Sequence, residues 1–359
     1  MDDDARAALR AECRIIQAHG ERNLPALLAR TADWCRTHGI EHDIYGRGEM
    51  VERFEADVAE RLGFEAGRFM PTGTLAQQVA LRVWCERAGS DRVGMHPTSH
   101  VDLHEEQGLA HLHRLHTTLV GPADEPMLAE HLAAVPEALA ALLVELPIRE
   151  AGGKLPSREQ LDALIAEADS RDLPLHLDGA RLWECGPFYD EPYDAICRGF
   201  SSCYVSFYKG IGALPGAMLL GPADFIAEAV VWQRRCGGNP YTLTPQAASA
   251  AMQLDERLAQ MPAYRERALS FAATLSSVDG ISVVPDPPHV NLLHAVIALD
   301  PEAAQDARDR VAERTGLWLF GAAQPTDVPG HCRLEYYVGD ALMALTDERV
   351  GEAFSELMR

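Results

Sequence analysis

LAALLVELPIREAGGKLPSREQLDALIAEADSRDLPLHLD, residues 139–178, decides the fold class. Leu139 to Pro147 is an apolar run closed by an acid, with the length and leucine–valine content of a strand buried on both faces. The Gly152–Gly153 pair then turns the chain. Ser157 and Gln160 stand at capping-box spacing, and Leu161, Leu164, Ile165 and Ala168 form one face of a helix. LPLHLD, residues 173–178, is a second short strand that again ends in an acid. Strand, helix, strand in so short a span implies a mostly parallel sheet covered on both faces, with its ligand site at the carboxyl ends of the strands. Asp178 stands at such an end.

Outward from this unit the alternation continues. CYVSF at 203–207 reads as a further strand, followed by a Gly-rich turn and the strand AMLLG at 217–221. Upstream, Val51, Phe54, Val58 and Leu62 recur at helical intervals. A short apolar stretch then ends at Met70, and the turn PTGT at 71–74 leads into a helical pattern through Leu75, Val79 and Val83, so Gly73 and Thr74 sit at a helix N-terminus. Downstream the pattern changes near Gln253 to a long helix, and PDPP at 285–288 predicts a loop. NLLHAVIAL, a helix from about Pro301, LWLF, RLEYYV and a closing helix make a small α+β domain. The expected division is a helical N-terminal arm over 1–40, a large domain over 41–252 and a small C-terminal domain over 253–359.

Apolar residues at 47% and charged residues at 24% exclude a disordered or fibrous chain. Against 54 acidic side chains there are 32 basic ones, a formal charge of -22, which repels phosphate backbones and anionic lipid heads. Neither a nucleic acid nor a membrane is expected as partner. The eight cysteines include no pair at the two-residue spacing of metal ribbons or redox motifs, which fits a reducing compartment. With an acidic start, MDDDARAALRAEC, and no apolar run near 18 residues, the chain reads as cytoplasmic.

Three segments carry candidate chemistry: PTGT at 71–74, LHLDGARLWE at 175–184 and SFYKGIGALPG at 206–216. Lys209, set among Phe207, Tyr208 and Ile211, is placed for a desolvated, imine-forming amine, although a lone buried lysine is more often a member of an ion pair. Asp178 must have a partner, either Arg181 in a structural ion pair or the ring nitrogen of pyridoxal phosphate. Gly73 and Thr74 offer a phosphate both N–H groups and a hydroxyl.

Taken together and in this order, the segments resemble the low-specificity L-threonine aldolases of the β-eliminating lyase group. DIYGRG at 43–48 is similar to the family's Tyr-Gly segment, giving Tyr45 and Gly46; PTGTLAQ resembles its PSGTMAN turn, and SHVDLHEEQG its His-led motif. DGAR stands unchanged at 178–181, and YKGIGALPG at 208–216 is similar to SKGLGAPVG. The resemblance implies an α/β, aspartate-aminotransferase-like fold (fold type I of the pyridoxal-phosphate enzymes). It implies pyridoxal 5'-phosphate bound covalently through Lys209, with Asp178 on the ring nitrogen, Gly73 and Thr74 on the phosphate, and His100 stacked on the ring. Arg181, beside the cofactor, and Arg333 in CRLEYY would hold the substrate carboxylate. The implied reaction is retro-aldol cleavage of a β-hydroxy-α-amino acid to glycine and an aldehyde, the alternative being β-elimination or transamination of another amino acid. A homodimer or homotetramer with interfacial sites is also implied, with the Arg234–Arg235 segment approaching a neighbouring subunit's cofactor. A surface loop is the other reading of that segment.

The sequence departs from the family where ENTH becomes ELPIRE, keeping Glu145 but placing apolar or proline residues, Ile148 among them, in place of the histidine. Tyr208 replaces the serine before the lysine. His104, one turn from His100, is therefore the candidate base for the substrate hydroxyl. The cluster His100, His104, His111, His113 and His116 raises a metal-dependent hydrolase as a rival class, but no cysteine lies nearby and no metal is expected.

Overall fold

The computed structural model describes residues 2–20 and 23–359. They fall into two compact units: Leu24–Ile148 with Leu155–Ala259, and the described part of Met1–Asn23 with Arg149–Lys154 and Gln260–Arg359.

The first unit is built on a seven-stranded sheet. Across it run Ala66–Met70, Ala217–Gly221, Ser202–Ser206, Leu175–Gly179, Ala141–Glu145, Arg92–Met95 and His116–Leu119. Ala217–Gly221 is antiparallel to both its neighbours, and the remaining pairs are parallel. The four strands from Ala141 to Gly221 are buried at every position, which is why Ala141–Glu145 and Ala217–Gly221 show apolar runs instead of alternation, while Leu175–Gly179 and Ser202–Ser206 bury polar side chains as well. Their register sets Glu145 beside Asp178, and Asp178 beside Tyr204. The predicted capping box is present, with Ser157 N–H donating to Gln160 Oε1 at 2.8 Å and Gln160 N–H to Ser157 Oγ at 3.2 Å.

Helix Gly73–Ala88 begins after Thr72, whose hydroxyl accepts from Leu75 N–H at 3.2 Å, and stops at Gly89 in the left-handed region. It is buried on most of its circumference, through Ala76, Val79, Ala80 and Val83 against the sheet, and Trp84 stacks on Phe225 at 4.9 Å. Such a helix is held by packing rather than by propensity. Its start is thereby fixed relative to the strand ends.

The second unit carries a four-stranded antiparallel sheet in the order Gln324–Pro325, Cys332–Tyr337, Leu292–Ile297, Ile281–Val284. Phe271, Tyr336 and Phe354 meet edge to face in its core, 5.1 to 5.9 Å apart. Of LWLF only Leu317 and Trp318 are strand, and they pair in parallel with Arg14–Ile15, apart from that sheet. No helix of the described residues is long and apolar enough to cross a membrane.

Candidate active site

Asp178 and Arg181 come from the end of one central strand and the turn after it; Lys209 follows the next strand, after Ser206. Asp178 is 2% exposed, and its Oδ1 accepts from Ala180 N–H at 3.0 Å. Burial pushes its carboxyl up, against the pull of Lys209, the Ala180 N–H and His100, while Glu105 pushes the same way as burial. Lys209 is half-buried; desolvation first and the Arg181 guanidinium second bring its ammonium down to about 8, against Asp178, Glu145 and Glu184. An amine so lowered is partly free near neutral pH, as an imine-forming lysine requires. The structural alternative for Asp178 is not realised: among the described residues it forms no ion pair with Arg181, whose Nε is buried without a partner.

Gly73 is packed so closely that a Cβ there would lie 2.0 Å from the Tyr204 hydroxyl oxygen. Only glycine lets the helix start approach the strand ends here. The first-turn N–H groups have no intrahelical acceptor, and Thr74 is exposed beside them. These residues fit pyridoxal phosphate: an anion cradle, a lowered lysine, a buried carboxyl for the ring nitrogen and a guanidinium lacking an acceptor.

His100 opens the short helix His100–Leu103; its Nδ1 lies 3.2 Å from Glu105 Oε1, and Glu105 Oε2 accepts from Gln78 Nε2 at 3.0 Å. His104 is exposed, its ring 5.1 Å from that of His100. The other histidines do not join them. His113 is buried against Trp232, and His111 and His116 are exposed. No three His, Cys, Asp or Glu side chains among the described residues are grouped to hold a metal ion.

The Tyr45–Gly46 loop is anchored from two sides. Asp43 accepts from the Thr242 and Thr244 hydroxyls, the N–H groups of Leu243 and Thr244, and Gly46 N–H, at 2.6 to 2.8 Å. Burial alone would raise its carboxyl, but those hydroxyl and N–H donors outweigh it and bring it down to about 2. Arg68, itself buried, donates to the carbonyls of Tyr45 and Gly46 and to Gln233 Oε1. Arg234 and Arg235, at the end of helix Ala223–Arg235, are exposed.

A family model described as beta-eliminating lyase matches residues 31–299. The chain belongs to that family. A structure from Listeria monocytogenes EGD-E, assigned as an L-allo-threonine aldolase, superposes with a TM-score of 0.92 at 35% identity over 98% of each chain. One from Exiguobacterium sp. 255-15, assigned as an aromatic amino acid beta-eliminating lyase/threonine aldolase, gives 0.91 at 36% identity over 98% of this chain and 99% of that one. The low specificity L-threonine aldolase of Escherichia coli (strain K12) is 29% identical over 241 residues, 66% of this chain and 72% of its own. The fold is the expected fold type I.

Arg333 lies in the second unit, on strand Cys332–Tyr337, donating to Glu150 Oε2 at 3.1 Å and Gln324 Oε1 at 2.6 Å. Sequence reasoning missed a buried hydrogen-bond chain in this family member, under the strand that ends at Asp178. Trp84 Nε1–H donates to Ser202 Oγ at 2.8 Å, Ser202 Oγ lies 2.7 Å from His176 Nδ1, and His176 Nε2 lies 2.7 Å from Gln77 Oε1. Burial, opposed by Ser202, pushes His176 down to about 3, so it is neutral. The unfolded chain binds a proton below pH 6.5 that the native state refuses until about 3, so stability rises with pH across that window. The difference in unfolding free energy between wild type and His176→Gln should therefore change by about 1.4 kcal/mol per pH unit below 6.5. Denaturant titrations at several pH values check it; a constant difference would refute the neutral buried imidazole.

Proposed function

We propose that this chain is a pyridoxal-phosphate-dependent aldehyde-lyase that cleaves β-hydroxy-α-amino acids such as threonine, allo-threonine or phenylserine to glycine and an aldehyde. The observation that carries the reading is the meeting of a lowered Lys209 with a buried Asp178 and an acceptor-less Arg181 at adjoining strand ends. Pyridoxal phosphate, when bound, supplies the electron sink for the cleaved bond.

In this reading Gly73 and Thr74 would hold the phosphate, and Lys209 would be the amine that attaches the cofactor. Asp178 would hold a proton on the ring nitrogen, and the His100 imidazole would cover the ring face. Arg181 would bind the substrate carboxylate and so fix the orientation of the bond to be cleaved, which is catalysis by orientation. The role of Arg333 as a further carboxylate ligand rests on the family resemblance. With Leu146, Pro147 and Ile148 after Glu145, none of them able to take a proton, His104 is the group proposed to accept the β-hydroxyl proton. The working form is proposed to be a cytoplasmic homodimer or homotetramer. The exposed apolar side chains Ile44, Tyr45 and Tyr241 support burial of this face against another subunit.

A substrate panel followed for aldehyde, pyruvate and ammonia tests the reaction, because each product reports a different broken bond. Aldehyde is expected from the β-hydroxy substrates; pyruvate or a keto acid without aldehyde would move the protein to elimination or transamination. His104→Ala should slow aldehyde release by about 10²-fold. It should leave Cα-proton exchange on glycine near wild type, since exchange uses no hydroxyl base. Equal loss of both would show that His104 acts on cofactor placement.

A further inference from the structure

Glu105 is a buried carboxylate without a role in the reading above. Its side chain is 2% accessible, against 41% for His100. A carboxylate taken out of water needs compensating donors, and this one has two, Gln78 Nε2–H on Oε2 and the His100 ring on Oε1. A carboxylate only accepts, so the proton between Oε1 and the ring belongs to His100 Nδ1.

The backbone behind Glu105 is unusual. Glu106 and Gln107 both lie in the left-handed region, with φ of 51° and 57°, although neither is glycine. Two such residues in succession are strained and persist only where their surroundings impose them. Gly108 follows, where a Cβ would stand 2.3 Å from Gln78 Nε2, so glycine here lets the Gln78 amide pass to Glu105. The turn therefore drives Glu105 inward, where Gln78 and His100 meet its two oxygens. A satellite of the fold would not need this arrangement. An imidazole that must carry its proton on one chosen nitrogen does, because the hydrogen bond at one ring nitrogen sets the state of the other.

We propose that Glu105 is a positioning residue, locked by Gln78 and the left-handed turn, which holds the His100 imidazole in its Nδ1–H tautomer and fixes its ring orientation, leaving Nε2 unprotonated. The proposal rests on the placement of His100 over the cofactor ring given under Proposed function.

The test is ¹⁵N NMR of histidine-labelled holoenzyme, with the His100 resonances assigned by their loss in His100→Asn. Wild type should show the proton on Nδ1; a proton on Nε2 overturns the proposal without any variant. In Glu105→Gln the side-chain amide can donate to Nδ1, so the proton should move to Nε2 and kcat for aldehyde release should fall about tenfold or more, the size of loss that follows when the outer hydrogen-bond partner of a metal-ligating histidine is removed. Gln78→Met, which leaves Glu105 in contact with His100, should keep the Nδ1–H tautomer. An unchanged tautomer in Glu105→Gln, or a changed tautomer with unchanged kcat and KM, refutes positioning. If wild type releases no aldehyde from any substrate, the functional reading fails instead, while the tautomer result stands by itself.

Discussion

Lys209→Ala is expected to lose covalent attachment of the cofactor and to lower turnover on the order of 10⁴-fold. Borohydride treatment of the wild-type holoenzyme should fix the cofactor to the peptide containing Lys209, because a C=N bond to lysine is reducible and a non-covalent complex is not. The chain makes this assay nearly binary, since it contains only two lysines, Lys154 and Lys209. Label on Lys154 would remove the basis of the functional reading. The lowered ammonium adds a quantitative arm: the free amine increases as pH rises through the folded value, so reaction of apoprotein with an aldehyde should have its midpoint at about 8 rather than 10.5. Arg181 is the largest cause of the lowering after desolvation, so Arg181→Ala should move that midpoint upward. A midpoint unmoved by Arg181→Ala would mean that dehydration alone sets the amine.

The parts of the site readable in the sequence are those whose chemistry is local. Ala141–Glu145 is apolar up to its closing acid, as a strand buried on both faces is, and Leu175–Gly179 is marked by its leucines and by the acid near its end. A Gly-Thr pair between such a run and a helical repeat is a helix start, and Gly73–Ala88 begins there. The edge of the sheet was not readable. His116–Leu119 is HTTL, mostly exposed and without an apolar face, and Arg92–Met95 has four residues with a glycine inside.

Second-layer residues were hidden for a different reason. His176 meets Ser202 and Gln77, partners 26 and 99 residues away, and no spacing rule connects them. Glu105 was one acid among several in an acidic turn, and its distinction lies in two positive φ angles at residues that carry no turn signature. Arg14–Ile15 joins a strand some 300 residues later through two residue pairs, too short a ladder to leave a pattern. The unforeseen features are those in which tertiary contact, not local preference, chooses the conformation.

Asp178→Ala should separate function from stability in a direction that an ion-pair residue could not produce. Turnover is expected to fall by about 10²- to 10³-fold, because a ring nitrogen without its proton holder withdraws electrons poorly. The apoprotein should not be destabilised. Burial, the largest influence on Asp178, raises its carboxyl above 3.8, so the native state holds the proton more tightly than the unfolded chain does. Native stability from this group is therefore present at low pH and is lost as pH rises above 3.8 toward the folded value. Removing the carboxyl relieves that penalty, so the apo variant should be at least as stable as wild type at pH 8, and its relative stability should fall as pH is lowered toward 3.8. Were Asp178 a structural partner of Arg181, the variant would instead melt earlier and keep its activity per folded molecule. Thermal melts of both apoproteins at pH 5 and pH 8, run beside kinetics of the holoenzymes, distinguish the two, and Arg181, whose Nε has no partner to lose, already stands against the second.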